Sequence, residues 1–187
     1  MTADELRSAV VEAAREMLRL GLVSGSSGNA SARHGDEVLI TPARLSYERM
    51  TEDDLVTIGM DGQAAEGQRE PSSERRVHLA IYSARPDIGA VVHSHSVHAT
   101  AWSFLGEPLD TGTEELEAAA DGNVLTAPFA PTGTDELAAA VVNALGDRRA
   151  ALMARHGVVA VGQTPAAALG TCLALERQAQ IAWLLRG

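Results

Sequence analysis

Ala90-Val91-Val92-His93-Ser94-His95-Ser96-Val97-His98 is the stretch on which the reading of this chain turns. It opens as a buried strand, because small and β-branched residues follow one another without a charge. His93 and His95 stand two positions apart near its end. Alternate strand residues share a face, so both imidazoles can reach one point. Ser96 is placed to cap a helix running to about position 105, and His98 falls on it as a structural or ligand-orienting residue. A third imidazole, His156, sits in Arg155-His156-Gly157, between β-like runs over 150–153 and 158–161. Three imidazoles and one open position are what a catalytic zinc site needs. Spacing alone leaves a second reading open, in which the histidines pack without a metal. His34 in a turn and His78 in mid-helix read as packing or surface residues. The one cysteine, Cys172, excludes a thiolate cluster and an internal disulfide.

Working outward, Thr2 and Glu5 have capping-box spacing at the start of a first helix. Leu6, Val10, Ala13, Met17 and Leu20 recur at steps of three and four, and Gly21 suits its end. A Gly/Ser loop, Ser24-Gly25-Ser26-Ser27-Gly28-Asn29, leads to strands over 30–33 and 37–41, joined at His34-Gly35-Asp36. A second hairpin is predicted from 55–60 and a strand after Asp61-Gly62. A helix over 73–84 would turn Val77, Ala80, Ile81 and Ala84 inward and end before Pro86-Asp87. A short helix over 114–120, a strand over 124–126 and a helix capped by Thr134 follow. Thr164-Pro165 starts the last helix, which buries Leu169, Cys172, Leu175, Ala179 and Ala182. Hairpins early and single strands between helices later predict an α+β or mixed three-layer domain.

Composition narrows the function. A chain of 187 residues with 45% hydrophobic residues can bury a core as one domain over 1–187. Fifteen basic against 25 acidic side chains leave a net charge of −10, which argues against nucleic acid and anionic membranes as partners. No apolar run reaches the roughly 18 residues of a membrane span. Met1-Thr2-Ala3-Asp4-Glu5 carries acids where an export signal carries bases, so a cytoplasmic protein is expected. Tyr47 and Tyr82 are the two phenols, which limits the proton donors available.

Glu74 follows Ser72-Ser73 in the first turn of its helix. There it is either a helix-dipole partner or a general base beside an open metal position. Gly28-Asn29 and Ser72-Ser73 are candidate anion cradles, since Gly-rich turns and helix starts offer free N–H groups.

Together these pieces resemble the class II aldolase/adducin family, its sugar-phosphate aldolases above all. The matching stretches include Gly28-Asn29-Ala30-Ser31-Ala32-Arg33, Leu39-Ile40-Thr41-Pro42, Tyr47-Glu48-Arg49-Met50-Thr51-Glu52, Pro71-Ser72-Ser73-Glu74, Arg85-Pro86-Asp87, His93-Ser94-His95-Ser96-Val97-His98, Ala127-Pro128-Phe129, Gly133-Thr134 and Arg155-His156-Gly157. The resemblance implies an α/β/α three-layer sandwich around a mainly antiparallel, mixed sheet. It also implies a C4 homotetramer with active sites between subunits. Zn2+, one per subunit, would be held by His93, His95, His156 and Glu74, with Mn2+ or Co2+ as substitutes. Glu74 would double as the acid/base. Gly28, Asn29, Ser72 and Ser73 would hold an anionic small molecule. The implied reaction is reversible C–C cleavage of a short ketose phosphate, or a related hydroxy-ketone or carboxylate, through a metal-stabilised enediolate. Dehydration or 4-epimerisation of a sugar phosphate is the alternative within the family, and an adducin-like interaction domain the non-catalytic one.

Departures bear on the substrate. These aldolases carry Thr-Gly where this chain has Ala43-Arg44, and the Arg44 guanidinium would replace the lost contacts to an anion. The aldolase's loop tyrosine aligns near Glu115, in Thr113-Glu114-Glu115-Leu116. The tail that supplies a second tyrosine has no counterpart before Gly187.

Overall fold

The computed structural model describes residues 1–186. Its helices are α1 (Ala3–Arg19), α2 (Arg75–Ala84), α3 (Val97–Ser103), α4 (Glu114–Ala120), α5 (Asp135–Leu145) and α6 (Pro165–Arg186). Its strands are β1 (Asn29–His34), β2 (Glu37–Ile40), β3 (Val56–Gly59), β4 (Ala90–Ser94), β5 (Thr126–Ala127), β6 (Ala150–Met153) and β7 (Gly157–Gly162). They form one sheet in the order β3-β2-β1-β4-β7-β6-β5. Neighbours run antiparallel, save the parallel pair β5 and β6. α1, α3, α4 and α6 pack on one face, α2 and α5 on the other. This is the expected three-layer α/β/α sandwich.

The layering follows from strands buried on both sides. On β7, Val158 and Ala160 join the α1/α6 core, while Val159 and Val161 join the α2/α5 core. On β4, Ala90 and Val92 divide from Val91 in the same way. A strand covered on both faces has no polar side to show, so its sequence reads as a continuous apolar run. Each such Val or Leu contributes about 1.5–3 kcal/mol of burial.

The caps at 2 and 134 form as read. Glu5 N donates to Thr2 Oγ1 at 3.3 Å and Thr2 N to Glu5 Oε2 at 2.8 Å. Thr134 Oγ1 accepts from Leu137 N at 3.2 Å. Gly21 closes α1 at φ 72°.

Several expectations are corrected. The second hairpin reduces to a single bridge between Ile58 and Ala64. The strand expected over 124–126 forms at Thr126–Ala127, with Val124 bridged to Leu109. α2 begins at Arg75, and Glu74 is its N-cap residue rather than a member of its first turn. Its inward face also differs, because His78 and Tyr82 are buried while Ala84 is exposed. The sheet, not hydropathy, sets that face, since polar strand residues lie beneath it. β4 ends at Ser94, leaving His95 just past it. Ser96 does not cap α3 with its hydroxyl, which is buried without a partner. Glu176 of α6 takes over, accepting from His98 N at 3.0 Å and Ala99 N at 2.9 Å. One carboxylate supplies two acceptors and the charge that a helix start favours.

Candidate metal centre

β1 and β4 pair with Asn29 opposite His93, at the end of the sheet where α2 begins. His93 points to the α2 side, His95 leaves the strand end, and His156 comes from the turn between β6 and β7. The three rings meet edge to face, with centroids 4.8, 4.9 and 5.1 Å apart. Glu74 completes the group, and the four ligand atoms lie within 4.8 Å of one another. The residues singled out as ligands therefore come together from three separate segments, at 74, 93–95 and 156.

The details fit a cation. His93 Nδ1 donates to the Val158 carbonyl at 2.8 Å, which turns the Nε2 lone pair inward. That Nε2 faces His95 Nε2 at 2.9 Å and Glu74 Oε2 at 2.8 Å. Glu74 Oε1 lies 3.3 Å from His156 Nε2 and is a buried oxygen without a hydrogen-bond partner. A buried, unsatisfied carboxylate oxygen among inward-facing imidazoles is costly unless a cation joins them.

Electrostatics agree. Burial alone would push the Glu74 carboxyl up, but the charge and hydrogen bond of His93, the charge of His156 and the Asn29 amide hold it well below the usual carboxylate range. Burial and the charges of His93 and His156 push His95 down to about 4. Burial, then His93, also lowers His156. Burial would lower His93 too, yet Glu74 beside it raises it. An anionic carboxylate among mostly neutral imidazoles is the donor set a divalent cation takes.

A cavity of about 480 Å³ opens beside this group. Gly28, Asn29, Ala43, Arg44, Ser72 and Ser73 all line it, together with Glu74, His95 and His156. A larger groove of about 810 Å³ between α2 and α5 holds no such cluster, so size does not mark the chemistry here. Gly28 adopts φ 71°, and a Cβ there would meet the His93 carbonyl and Val23 at 2.6 Å. Gly157 lets β7 pass close, for a Cβ would strike the Ser94 carbonyl oxygen and press both the His93 and His95 rings at 3.2 Å. Arg44 stands at the cavity rim with its backbone at φ 61°, its guanidinium exposed and 3.6 Å from Glu70. A side chain held in that left-handed conformation costs about 1–2 kcal/mol. Glu115 is exposed, 3.5 Å from Arg177, and is not part of the cavity wall.

Sequence reading passed over the supporting groups. Tyr47 donates to the Gly28 carbonyl at 2.5 Å, and burial pushes its phenol up to about 12. Glu74, His78 and Tyr82 recur every fourth residue, and Asn29, Ser31 and Arg33 every second. Four helical residues rise about 6 Å and two strand residues about 6.7 Å, so the two rows interlock nearly one to one. That coincidence of periods was the available signal.

An α/β/α sandwich with a His-His-His-Glu cluster at the strand ends defines a metal-binding α/β enzyme class. The family model described as Class II Aldolase and Adducin N-terminal domain matches residues 8–183. The L-fuculose phosphate aldolase of Escherichia coli (strain K12) is 42% identical over 160 residues, covering 86% of this chain and 74% of its own. The 5-methylthioribulose-1-phosphate/5-deoxyribulose-1-phosphate aldolase of Rhodospirillum rubrum is 38% identical over 178 residues, covering 95% and 80%. A solved structure of an L-fuculose 1-phosphate aldolase superposes with a TM-score of 0.93 at 32% identity, over 100% of this chain and 88% of that one. The chain belongs to the class II aldolase and adducin family.

Proposed function

We propose that this chain, working as one unit over residues 1–187, is a zinc-dependent aldolase that reversibly cleaves a short ketose 1-phosphate. The observation that carries the reading is the convergence of Glu74, His93, His95 and His156 beside a cavity walled by the anion-binding candidates. The relatives' names support it: they are aldolases of fuculose phosphate and of 5-substituted ribulose phosphates. Dehydration and epimerisation are accordingly not favoured.

In the cleavage direction the C4 hydroxyl loses a proton, the C3–C4 bond breaks, and its electron pair moves toward the C2 carbonyl. C3 then takes a proton, giving a phosphorylated dihydroxyketone and an aldehyde. A bound divalent cation supplies Lewis-acid stabilisation of the charge on the C2 oxygen. His93, His95 and His156 would hold it, with Glu74 as a fourth ligand; the same set accepts Mn2+ or Co2+. Glu74 handles the C3 proton, being the buried carboxylate of the cavity wall. Gly28, Asn29, Ser72 and Ser73 hold the phosphate. The Asn29 amide nitrogen carries two hydrogens, so its contact to Glu74 leaves one for an anion. Ala43 and Arg44 flank that anion, and the guanidinium replaces backbone contacts with a two-pronged grip.

A C4 homotetramer with sites between subunits belongs to this reading. Val97, Phe104, Leu184 and Leu185 are large, apolar and more than 60% exposed, which supports burial against another copy. The cytoplasm belongs to it too, since phosphorylated sugars do not cross hydrocarbon. The test is product analysis on L-fuculose 1-phosphate and 5-deoxyribulose 1-phosphate, with metal content measured in parallel. Two fragments formed only by the metal-loaded protein are expected. A single dehydrated or inverted product, or cleavage by metal-free protein, would overturn the proposal.

A further inference from the structure

Behind Glu74, buried polar groups run in single file away from the cavity. Asn29 Nδ2 donates to Glu74 Oε2 at 3.2 Å. Asn29 Oδ1 meets His78 Nε2 in a short hydrogen bond. His78 Nδ1 lies 2.6 Å from Ser31 Oγ, and Ser31 Oγ lies 2.8 Å from the Tyr82 hydroxyl. Asn29, Ser31, His78 and Tyr82 are all buried.

The direction of every bond follows from the first. A carboxylate only accepts, so the Asn29 amide turns its NH2 to Glu74 and its oxygen to His78. That oxygen also only accepts, so the His78 proton sits on Nε2. A neutral ring then accepts at Nδ1, the Ser31 hydroxyl donates to it, and the Tyr82 hydroxyl donates to Ser31. Burial, with the charge of His93, pushes His78 down to about 3 and keeps the ring neutral. Arg33 closes the far end, donating to the Tyr82 carbonyl and lying 4.9 Å from its ring centre.

We infer that His78 is a positioning residue: through its hydrogen bond to Asn29 it fixes the amide, and the amide fixes the Glu74 carboxylate against the imidazole trio. The inference rests on the proposed reading of Glu74 as metal ligand and acid/base. His78 touches neither metal nor substrate. Groups that orient metal ligands change affinity or activity by roughly 10- to 100-fold when removed.

The test reads metal affinity, by competition of Zn2+ or Co2+ between metal-stripped protein and a chromophoric chelator. His78→Gln places an amide N–H close to the position of Nε2 and keeps the bond to Asn29. His78→Asn keeps a polar group near Ser31 but does not reach Asn29. His78→Gln should bind metal within about threefold of the parent, and His78→Asn about tenfold more weakly. Each is then repeated with Glu74→Gln, where the Gln–Asn difference should shrink below about twofold, because its route is gone. The same split should appear in kcat of the loaded enzyme, with KM unmoved. Equal metal affinity for the two folded variants, or an undiminished difference beside Glu74→Gln, would overturn the inference and leave the aldolase reading intact. A parent chain that binds no metal would remove both.

Discussion

Glu74 Oε2 lies 2.8 Å from His93 Nε2, at the spot to which the other two imidazoles also turn. Glu74 gets there because it is the N-cap residue of α2 and sits at φ −95°, ψ 12°, outside the helical turn. The same side chain is therefore available both to a cation and to a proton on substrate.

Glu74→Gln keeps the shape and removes the charge. Cleavage should fall by about 10²–10⁴-fold, the usual loss for a positioned acid/base. The fold should persist with some loss of thermal stability, since His93, His156 and Asn29 favour the ionised carboxylate. Steady-state kinetics with a melting curve checks both, and a variant with parental turnover would remove Glu74 from the reaction.

Arg44 should separate stability from function. Arg44→Gly relieves a left-handed backbone and should stabilise the fold by up to about 1 kcal/mol in a urea titration. Arg44→Ala removes the guanidinium without installing a glycine, and its KM for a phosphorylated ketose should rise by about tenfold, with kcat less affected. An unchanged KM would return Arg44 to being a surface residue with an exposed partner in Glu70.

Gly157→Ala should act at the metal without touching a ligand. The new methyl would collide with the Ser94 carbonyl and crowd the His93 and His95 rings. A loss of about 1–3 kcal/mol in stability is expected, since overpacking forces backbone shifts. Metal affinity should fall with it.

His78 gives the metal-free protein an acid sensitivity. Its folded-state value is pushed down to about 3, against an ordinary 6.5. Between those values the unfolded chain binds the extra proton and the native one does not. Stability therefore falls as pH drops below 6.5, with this residue contributing a slope on the order of 1.4 kcal/mol per pH unit. Unfolding free energies of the parent and of His78→Gln from urea titrations, compared from pH 7 to 5, should diverge by about 2 kcal/mol. Parallel curves would contradict it.

Much of this architecture could be read before any coordinates. Local chemistry wrote the caps at Thr2 and Thr134, the turn at Gly35 and the all-apolar strands on either side of His156. The ligands themselves were legible because His93 lies on a strand, His95 follows two positions on, just past its end, and His156 sits between two strands. What escaped depended on distant partners. Ser96 looks like a helix cap, yet its role passes to Glu176, 80 residues on. His78 and Tyr82 look unremarkable in a helix until Asn29 and Ser31 are found beneath them. Arg44 was legible as an anion-binding candidate but not as a left-handed residue, because its positive φ is set by the loop against the cavity.

Zn2+ titrated into metal-stripped protein, followed by calorimetry, is decisive for the four-ligand centre. About one ion per chain should bind to the parent, and binding should vanish in the His93→Ala/His95→Ala pair while the fold persists. A parent that takes up no ion, or a double variant that binds as tightly as the parent, would contradict it.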